Sequence, residues 1–250
     1  MKKIILASLV AVSSLMALTN LEIAQKADKV TDGFESSISK TEMTLINASG
    51  QKSVRDLIMK TLEGENGDKT LSTFLSPADV KGTKVLGWEH IDRDDDQWLY
   101  LPALKRVKRI ASRNKSGSFM GSEFSYEDIG NQNSGKYSFD GEPEIVQFNG
   151  KECYKGVRIP KDKNSAYTKQ ITWVDTKDFL IQKVEYYDRK QEHLKTATFS
   201  DYKQIDGVWR VGKIEMKNHQ NDKSTILISK EDKIKAGLSS RNFDKRELKK

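Results

Sequence analysis

Hydrophobic and polar residues alternate along most of this chain, and turn residues interrupt the alternation at short intervals. Two alternating segments flank Asn149-Gly150, a dipeptide that favours a type I′ turn between antiparallel strands. Asp206-Gly207 separates another such pair. The pattern predicts strands over 42–47, 54–62, 71–75, 85–91, 97–110 (as one strand or two), 145–148, 151–159, 169–174, 179–187, 194–205, 208–216 and 226–234.

The segment 179–187 shows how such a strand divides its side chains. Leu180, Val184 and Tyr186 fall on one face, whereas the other face mixes apolar and charged residues. One dry face and one wet face are typical of an antiparallel sheet that packs on a single side. Many strands in sequential hairpins therefore predict a mainly β protein, an antiparallel meander that forms a barrel or a strongly curled half-barrel.

A helix is predicted before the first strand. Asn20 can cap it, and Gly33 ends it. Its apolar residues recur at the helical spacing of three, as Leu21, Ala24 and Ala27.

A second interruption of the strand pattern lies at 118–130. Its apolar residues have spacings that favour a short amphipathic helix, with Ser122 as a possible cap and Gly130 as the end. A helix at this point, between hairpins of a curled sheet, would cover the concave face.

The first residues predict export. Lys2 and Lys3 precede an apolar stretch that is too short to span a bilayer comfortably but suits a signal peptide. We place the signal peptide at 1–17 and a single β domain at 18–250; an uncleaved anchor or a buried N-terminal helix is the alternative. The one cysteine, Cys153, leaves no cysteine at the cleavage site for a lipid anchor and no partner for an internal disulfide.

Charge adds a candidate interaction surface. The formal net charge is +7, and 32% of residues are charged. One basic run contains Lys105, Arg106, Lys108, Arg109, Arg113 and Lys115. It could dock anionic lipid headgroups or an acidic patch on a partner protein, or it could be a solvated strand and turn. Nucleic acid is not an expected partner, because an exported protein rarely meets it.

Candidate catalytic and metal-binding motifs are weak. His90, His193 and His219 lie far apart, without the spacing of metal ligands. The acidic run at 92–96 lacks the glycine and the glutamate that complete a calcium loop, so a polar turn is expected. We expect no metal, no cofactor and no enzymatic activity; a hydrolase assembled from residues distant in sequence is the alternative.

Two neighbouring segments resemble the signature of a known family. They read QWLYLPALKRVKRI at 97–110 and SFMGSEFSYEDI at 118–129, and 74–83 and 183–188 add weaker matches. They resemble the outer-membrane lipoprotein-sorting proteins, the LolA-like family, and more specifically the branch associated with RND-type exporters. The resemblance runs from about residue 21 to near the C-terminus.

This resemblance implies an incomplete, half-open antiparallel β-barrel with a helical lid over an apolar cavity. It implies a periplasmic, monomeric carrier that shelters the acyl chains of lipid or lipoprotein cargo on the way to the outer membrane, without a cofactor. An RND-type inner-membrane exporter is the implied partner. A sensor or accessory scaffold of the same fold, acting with a membrane transporter, is the alternative function.

Candidate lid residues follow from the segment at 118–130 and the strand before it. We expect part of a movable roof over the cavity to consist of Phe119, Met120, Phe124, Tyr126 and Ile129, with Trp98 and Tyr100 on the preceding strand. Such a roof would bind acyl chains because each CH₂ removed from water contributes about 0.8 kcal/mol. The alternative is that these residues are ordinary core at one end of a barrel.

Overall fold

The structure is a computed structural model that describes residues 17–130 and 132–250. All of the expected signal peptide except residue 17 lies outside the described residues. No helix in the described ranges is long and apolar enough to cross a membrane. The elements are α1 (Asn20–Thr31), β1 (Ser36–Ile46), β2 (Lys52–Leu62), β3 (Lys69–Ser76), β4 (Lys84–Trp88), β5 (Asp96–Leu101), β6 (Arg106–Ile110), β7 (Tyr137–Phe148), β8 (Lys151–Pro160), β9 (Lys169–Asp175), β10 (Ile181–Tyr187), β11 (His193–Ser200), β12 (Lys203–Ile205), β13 (Val208–Arg210), β14 (Lys213–Asn218) and β15 (Ser224–Ile234).

Thirteen of these strands form one antiparallel sheet, in the order β6-β5-β4-β3-β2-β1-β15-β14-β11-β10-β9-β8-β7. The strands β12 and β13 form a separate hairpin. Most neighbours in the sheet also follow one another in the chain, and β1 pairs with β15 to join the two halves. Across the described residues the sheet ends at β6 on one side and at β7 on the other. The predicted half-open antiparallel barrel is confirmed.

Each predicted strand segment contains an observed strand, although some segments are divided. The segment 97–110 is two strands because Pro102–Leu104 forms a 3₁₀ turn between them. Lys105 then adopts a left-handed conformation, φ 48°, which an extended strand cannot accommodate. The segment 194–205 likewise divides into β11 and β12.

The helix is confirmed, but its cap and its buried face differ from the prediction. Thr19 is the N-cap and forms a capping box with Glu22. The Asn20 amide instead donates to the main-chain carbonyls of Asp140 and Gly141, at 3.1 and 2.9 Å. The buried apolar residues are Ile23 and Ala27, whereas Leu21 is 43% exposed. The sequence pattern therefore identified the helix and its buried Ala27, but Ile23 rather than Leu21 completes the buried face.

The concave face of the sheet carries the main hydrophobic core. Leu180, Val184 and Tyr186 are 3%, 1% and 3% exposed, which confirms the predicted dry face of this strand segment. Met43 of β1 and Leu57 of β2 join the same core, so both halves of the sheet contribute to it.

A second core lies on the opposite face of β3–β5. Here the C-terminal strap, residues 238–250, packs Phe243 and Leu248 against Leu86 and Trp98. Both strap residues are fully buried, and the Trp88 indole N–H donates to the Phe243 carbonyl at 2.8 Å. The strap therefore shields apolar side chains that the curl of the sheet turns outward.

We expect Phe243→Ala to destabilise the protein by about 3–5 kcal/mol, because it removes a fully buried ring and leaves a cavity beside Trp98. Urea unfolding monitored by tryptophan fluorescence measures the change. Arg241→Ala in the same strap is the control, since Arg241 is exposed. Equal stability of the two variants would contradict a stabilising role for the strap.

Candidate functional site

A cavity of about 380 Å³, called the chamber below, lies on the concave face of the sheet beneath α1. Its volume falls in the lower part of the range for small-ligand sites. The apolar wall comes from both halves of the sheet and consists chiefly of Met59, Val184, Tyr186, Phe199, Ile214 and Leu227. The chamber thus offers apolar surface to a ligand without breaking the core next to it.

Polar groups at the chamber wall are engaged mainly with one another. The Arg210 Nε donates to Asp232 at 2.8 Å, and the Ser39 hydroxyl donates to the same carboxylate at 2.7 Å. Arg158, 5% exposed, donates to the Gln170 side chain at 2.8 Å. Such pairing offsets the cost of burying charge and leaves the wall rigid rather than reactive.

The Ser229 hydroxyl at the chamber wall is not paired in this way. Its oxygen is buried and has no hydrogen-bond partner among the described residues. A buried hydroxyl without a partner costs free energy.

The segment 118–130 is not helical, which corrects the prediction of a short amphipathic helix and of a helical lid at this point. It is a series of turns, in which the Phe119 N–H donates to the Phe124 carbonyl at 2.7 Å. Met120 and Gly121 have φ of 52° and 79°, in the left-handed region that interrupts a right-handed helix. We call this segment the plug.

The plug residues lie in the core rather than at the chamber wall. Phe119 and Phe124 are 1% and 4% exposed, and the Phe119 ring centroid lies 5.9 Å from that of Phe74. Partly buried plug residues pack around them, namely Met120, Tyr126 and Ile129. None of the five lines the chamber. The geometry matches the alternative interpretation, ordinary core at one end of the half-barrel.

Trp98 and Tyr100 lie on the other side of the sheet, which corrects their expected place beside the roof. They belong to the core under the C-terminal strap, whereas Leu99 between them faces the plug. Because successive strand residues point to opposite faces, a shift of one position decides the side. The sequence pattern of β5 is apolar on both faces and did not distinguish them.

A buried ion pair holds the plug to the sheet. The Lys195 Nζ lies 2.6 Å from Asp128, with the side chains 5% and 3% exposed, and donates to the Glu123 carbonyl at 3.0 Å. The Tyr167 hydroxyl donates to the same carboxylate at 2.8 Å. Burial, and then the charge of Asp128, raise the pKa of Tyr167 well above its usual range. These contacts favour a fixed plug over a freely moving lid.

The basic run is divided by its ion pairs. Arg109 pairs with Asp96, and Lys115 pairs with Asp162. Within the described ranges, the remaining four side chains form no ion pair and are exposed, namely Lys105, Arg106, Lys108 and Arg113. Three of the six residues lie on β6, a free edge of the sheet, where charged side chains also discourage pairing with another chain.

A second cavity, about 350 Å³ and called the cleft below, lies between the two free edges of the sheet. One side comes from the β4–β5 turn, which confirms that the acidic run at 92–96 is mostly a polar turn. The other side comes from the chain after β8, at 160–164. Glu127 lies at its wall, where burial raises the pKa of the carboxyl.

Two histidines that are distant in sequence meet on the surface. The Nε2 atoms of His193 and His219 lie 3.0 and 2.9 Å from the Thr196 hydroxyl. Burial, and then the neighbouring His193, lower the pKa of His219. The sequence spacing concealed this pair because strand pairing of β11 with β14 creates it. No group of three potential metal ligands occurs among the described residues.

Solved structures with the same architecture identify the family of this chain. An outer-membrane lipoprotein-sorting protein domain from Vibrio parahaemolyticus is 48% identical, with a TM-score of 0.88, over 92% of this chain and 98% of that one. The chain belongs to the LolA-like lipoprotein-sorting family. A DUF1329 family protein from Desulfovibrio piger is 32% identical over 91% of this chain and 97% of that one, with a TM-score of 0.84.

A more distant LolA superfamily protein from Nitrosomonas europaea has the same fold, with 20% identity and a TM-score of 0.73 over 92% of this chain and 100% of that one. A family model described as an uncharacterized protein matches residues 66–250. No curated protein matches. In this LolA-like chain the chamber lies between the half-open sheet and the helix above it.

We expect Lys195→Met to destabilise this LolA-like protein by about 3–5 kcal/mol, because it leaves Asp128 charged, buried and unpaired. The double variant Lys195→Met with Asp128→Asn should lose less stability, since position 128 keeps a hydrogen-bond acceptor but no longer carries a charge. Chemical denaturation gives the free energy of unfolding. Lys40→Met is the matched control, because the Lys40–Glu231 pair is exposed and is expected to contribute less than about 1 kcal/mol.

A loss no larger in Lys195→Met than in Lys40→Met would show that the ion pair does not hold the plug.

Proposed function

We propose that this protein is a periplasmic carrier that shelters an acyl chain of a lipid or lipoprotein in the chamber during transport to the outer membrane. The chamber is the observation that carries the proposal, because it presents an apolar wall beneath a single helix in a sheet that is open along one side. The lipoprotein-sorting domain at 48% identity supports the assignment to lipid traffic.

The driving force for loading is burial of the acyl chain. Each CH₂ that leaves water contributes about 0.8 kcal/mol, so an acyl chain of about fifteen groups contributes about 12 kcal/mol against an association cost of about 4–15 kcal/mol. The empty chamber must not collapse, however. The Arg210–Asp232 ion pair at its wall fixes β13 against β15 and so resists such a collapse.

Transport without chemistry is favoured over catalysis. The charged groups at the chamber wall hydrogen-bond to one another instead of converging on a shared point. A hydrolase would need a nucleophile beside a base, and Ser229, with no hydrogen-bond partner among the described residues, lacks such a base.

Ser229 supplies a sharp test of the chamber. We expect Ser229→Phe to fill the chamber and to weaken binding of a fluorescent fatty acid at least about tenfold, since the new ring occupies the space of the chain. Ser229→Ala is the matched control and should bind as the natural protein does. Fluorescence titration, together with mass spectrometry of lipids that copurify, measures both variants.

Ser229→Ala should unfold at or above the natural melting temperature, since it removes a buried hydroxyl without a partner. Ser229→Phe should still unfold cooperatively, at a cost in stability of about 1–3 kcal/mol from the added ring. Equal lipid content in Ser229→Phe and Ser229→Ala would contradict the chamber as the binding site.

We propose further that the four exposed cations of the basic run dock the loaded protein on an anionic membrane surface or on an acidic face of an RND-type exporter. Among the described residues these four side chains form no ion pair, whereas Arg109 pairs with Asp96 and Lys115 pairs with Asp162. Basic side chains near a membrane surface each contribute about 1 kcal/mol of attraction to anionic lipid.

Charge reversal distinguishes the two docking partners. We expect Arg106→Glu with Lys108→Glu and Arg113→Glu to slow lipid transfer to phosphatidylglycerol vesicles several-fold at low salt, with lipid affinity unchanged. Three exposed lysines elsewhere serve as controls when changed to glutamate, namely Lys52, Lys177 and Lys223. If the charge-reversed variant transfers lipid as fast as the controls do, docking on lipid is excluded, and the acidic protein surface remains as the docking partner.

A further inference from the structure

The cleft carries charges that acyl-chain binding in the chamber does not use. Five carboxylates and five lysine or arginine side chains line it, together with His90. Part of this charge is paired internally, since Lys136 lies 3.2 Å from Asp95 and Lys115 pairs with Asp162. Equal numbers of opposite charges offer no net attraction to an anion or a cation. They suit a ligand that carries one charge of each sign.

The charges that remain are separated by sign. Asp92 and Asp94 stand on the β4–β5 turn, exposed and without an ion pair among the described residues. Lys161 and Lys163 stand in the segment that follows β8, and among the described residues the Lys161 Nζ donates to the Gly135 carbonyl, at 2.9 Å, and forms no ion pair. The turn and this segment belong to opposite ends of the sheet order. One rim of the cleft is therefore acidic, and the other is basic.

The cleft and the chamber share one residue as a common wall. Gln132 lines both cavities. Its side-chain oxygen accepts a hydrogen bond from the Tyr137 hydroxyl, and the Arg158 guanidinium lies 4.1 Å from the Tyr137 ring centroid. Tyr137 faces the cleft, and Arg158 faces the chamber. Gln132, Tyr137 and Arg158 thus form a thin partition of side chains, and a molecule that occupies both spaces would have to displace part of it.

We propose that the cleft binds a zwitterionic lipid headgroup, with an ammonium and a phosphate, while a single acyl chain of the same molecule occupies the chamber. The ammonium lies against Asp92 and Asp94, and the phosphate lies against Lys161 and Lys163. The inference rests on the proposed carrier function and names its cargo class. The volume of the chamber favours one chain over several.

Calorimetric titration of the full mature protein tests this assignment with three ligands of equal chain length. These are lysophosphatidylethanolamine, lysophosphatidylglycerol, which lacks the ammonium, and an uncharged long-chain alcohol. We expect the ethanolamine lipid to bind about tenfold more tightly than the glycerol lipid. The preference should shrink at high salt, because the rims of the cleft are exposed to solvent.

Variants of each rim give different expected patterns. The double variant Asp92→Asn with Asp94→Asn should bind the ethanolamine lipid only as tightly as it binds the glycerol lipid. The double variant Lys161→Met with Lys163→Met should bind both phospholipids about fivefold more weakly and should bind the alcohol with unchanged affinity. Lys177→Met with Lys223→Met is the matched control at exposed positions outside the cleft and should change nothing.

Two results would overturn the inference in distinguishable ways. If the alcohol binds and the two phospholipids bind equally, or if the rim variants match the control, the headgroup site is wrong and the carrier function stands. If the alcohol fails to bind the natural protein, the chamber is not an acyl-chain site, and both proposals fall together.

Discussion

The pairing of β1 with β15 is the contact on which the architecture depends. It joins residues near the start of the domain to residues near its end, from Ser37 opposite Ile234 to Ile46 opposite Ser224. Most other pairings in the sheet are between strands close in the chain, so this ladder fuses two meanders into one curled surface. Its consequence is that β6 and β7 remain as free edges with the cleft between them.

A curled sheet that does not close has to cover its concave face by other means. Here the plug fills one part and α1 roofs another, and the chamber lies beneath the helix. The ion pair of Lys195 with Asp128 fixes the plug, and loss of either side chain would leave the other charge buried without a partner. A carrier needs this division, because a fully packed interior would leave no room for cargo and an uncovered one would expose its apolar wall to water.

The comparisons and the geometry support different parts of the functional argument. Identity of 48% over nearly the whole chain establishes the family, and the distant LolA superfamily protein adds the shared fold. Fold and family do not by themselves specify a ligand, since function resides in particular sites. The chamber and the cleft are the candidate sites, and the proposal of a cargo with an apolar part and a charged part rests on their contrasting walls.

Local sequence patterns were sufficient to predict the strands, the first helix and the curled antiparallel sheet. These features follow from local rules, namely the two-residue period of β10 and the turn at Asn149-Gly150, which neighbouring residues satisfy on their own. The motif around 97–129 also identified the family. The cap of α1 was misplaced by one residue because Asn20 and Thr19 are both good capping residues and only the contacts of Asn20 with β7 separate them.

The positions of the aromatic residues of the family motif depend on tertiary contacts. The period of a strand does not say which face turns inward, so Trp98 and Leu99 were equivalent until the C-terminal strap covered one side. The plug has helical spacing yet forms turns, because Met120 and Gly121 are left-handed and Lys195, distant in the chain, anchors Asp128. The partition at Gln132 and the two rims of the cleft likewise depend on contacts between residues far apart in sequence, which no local pattern records.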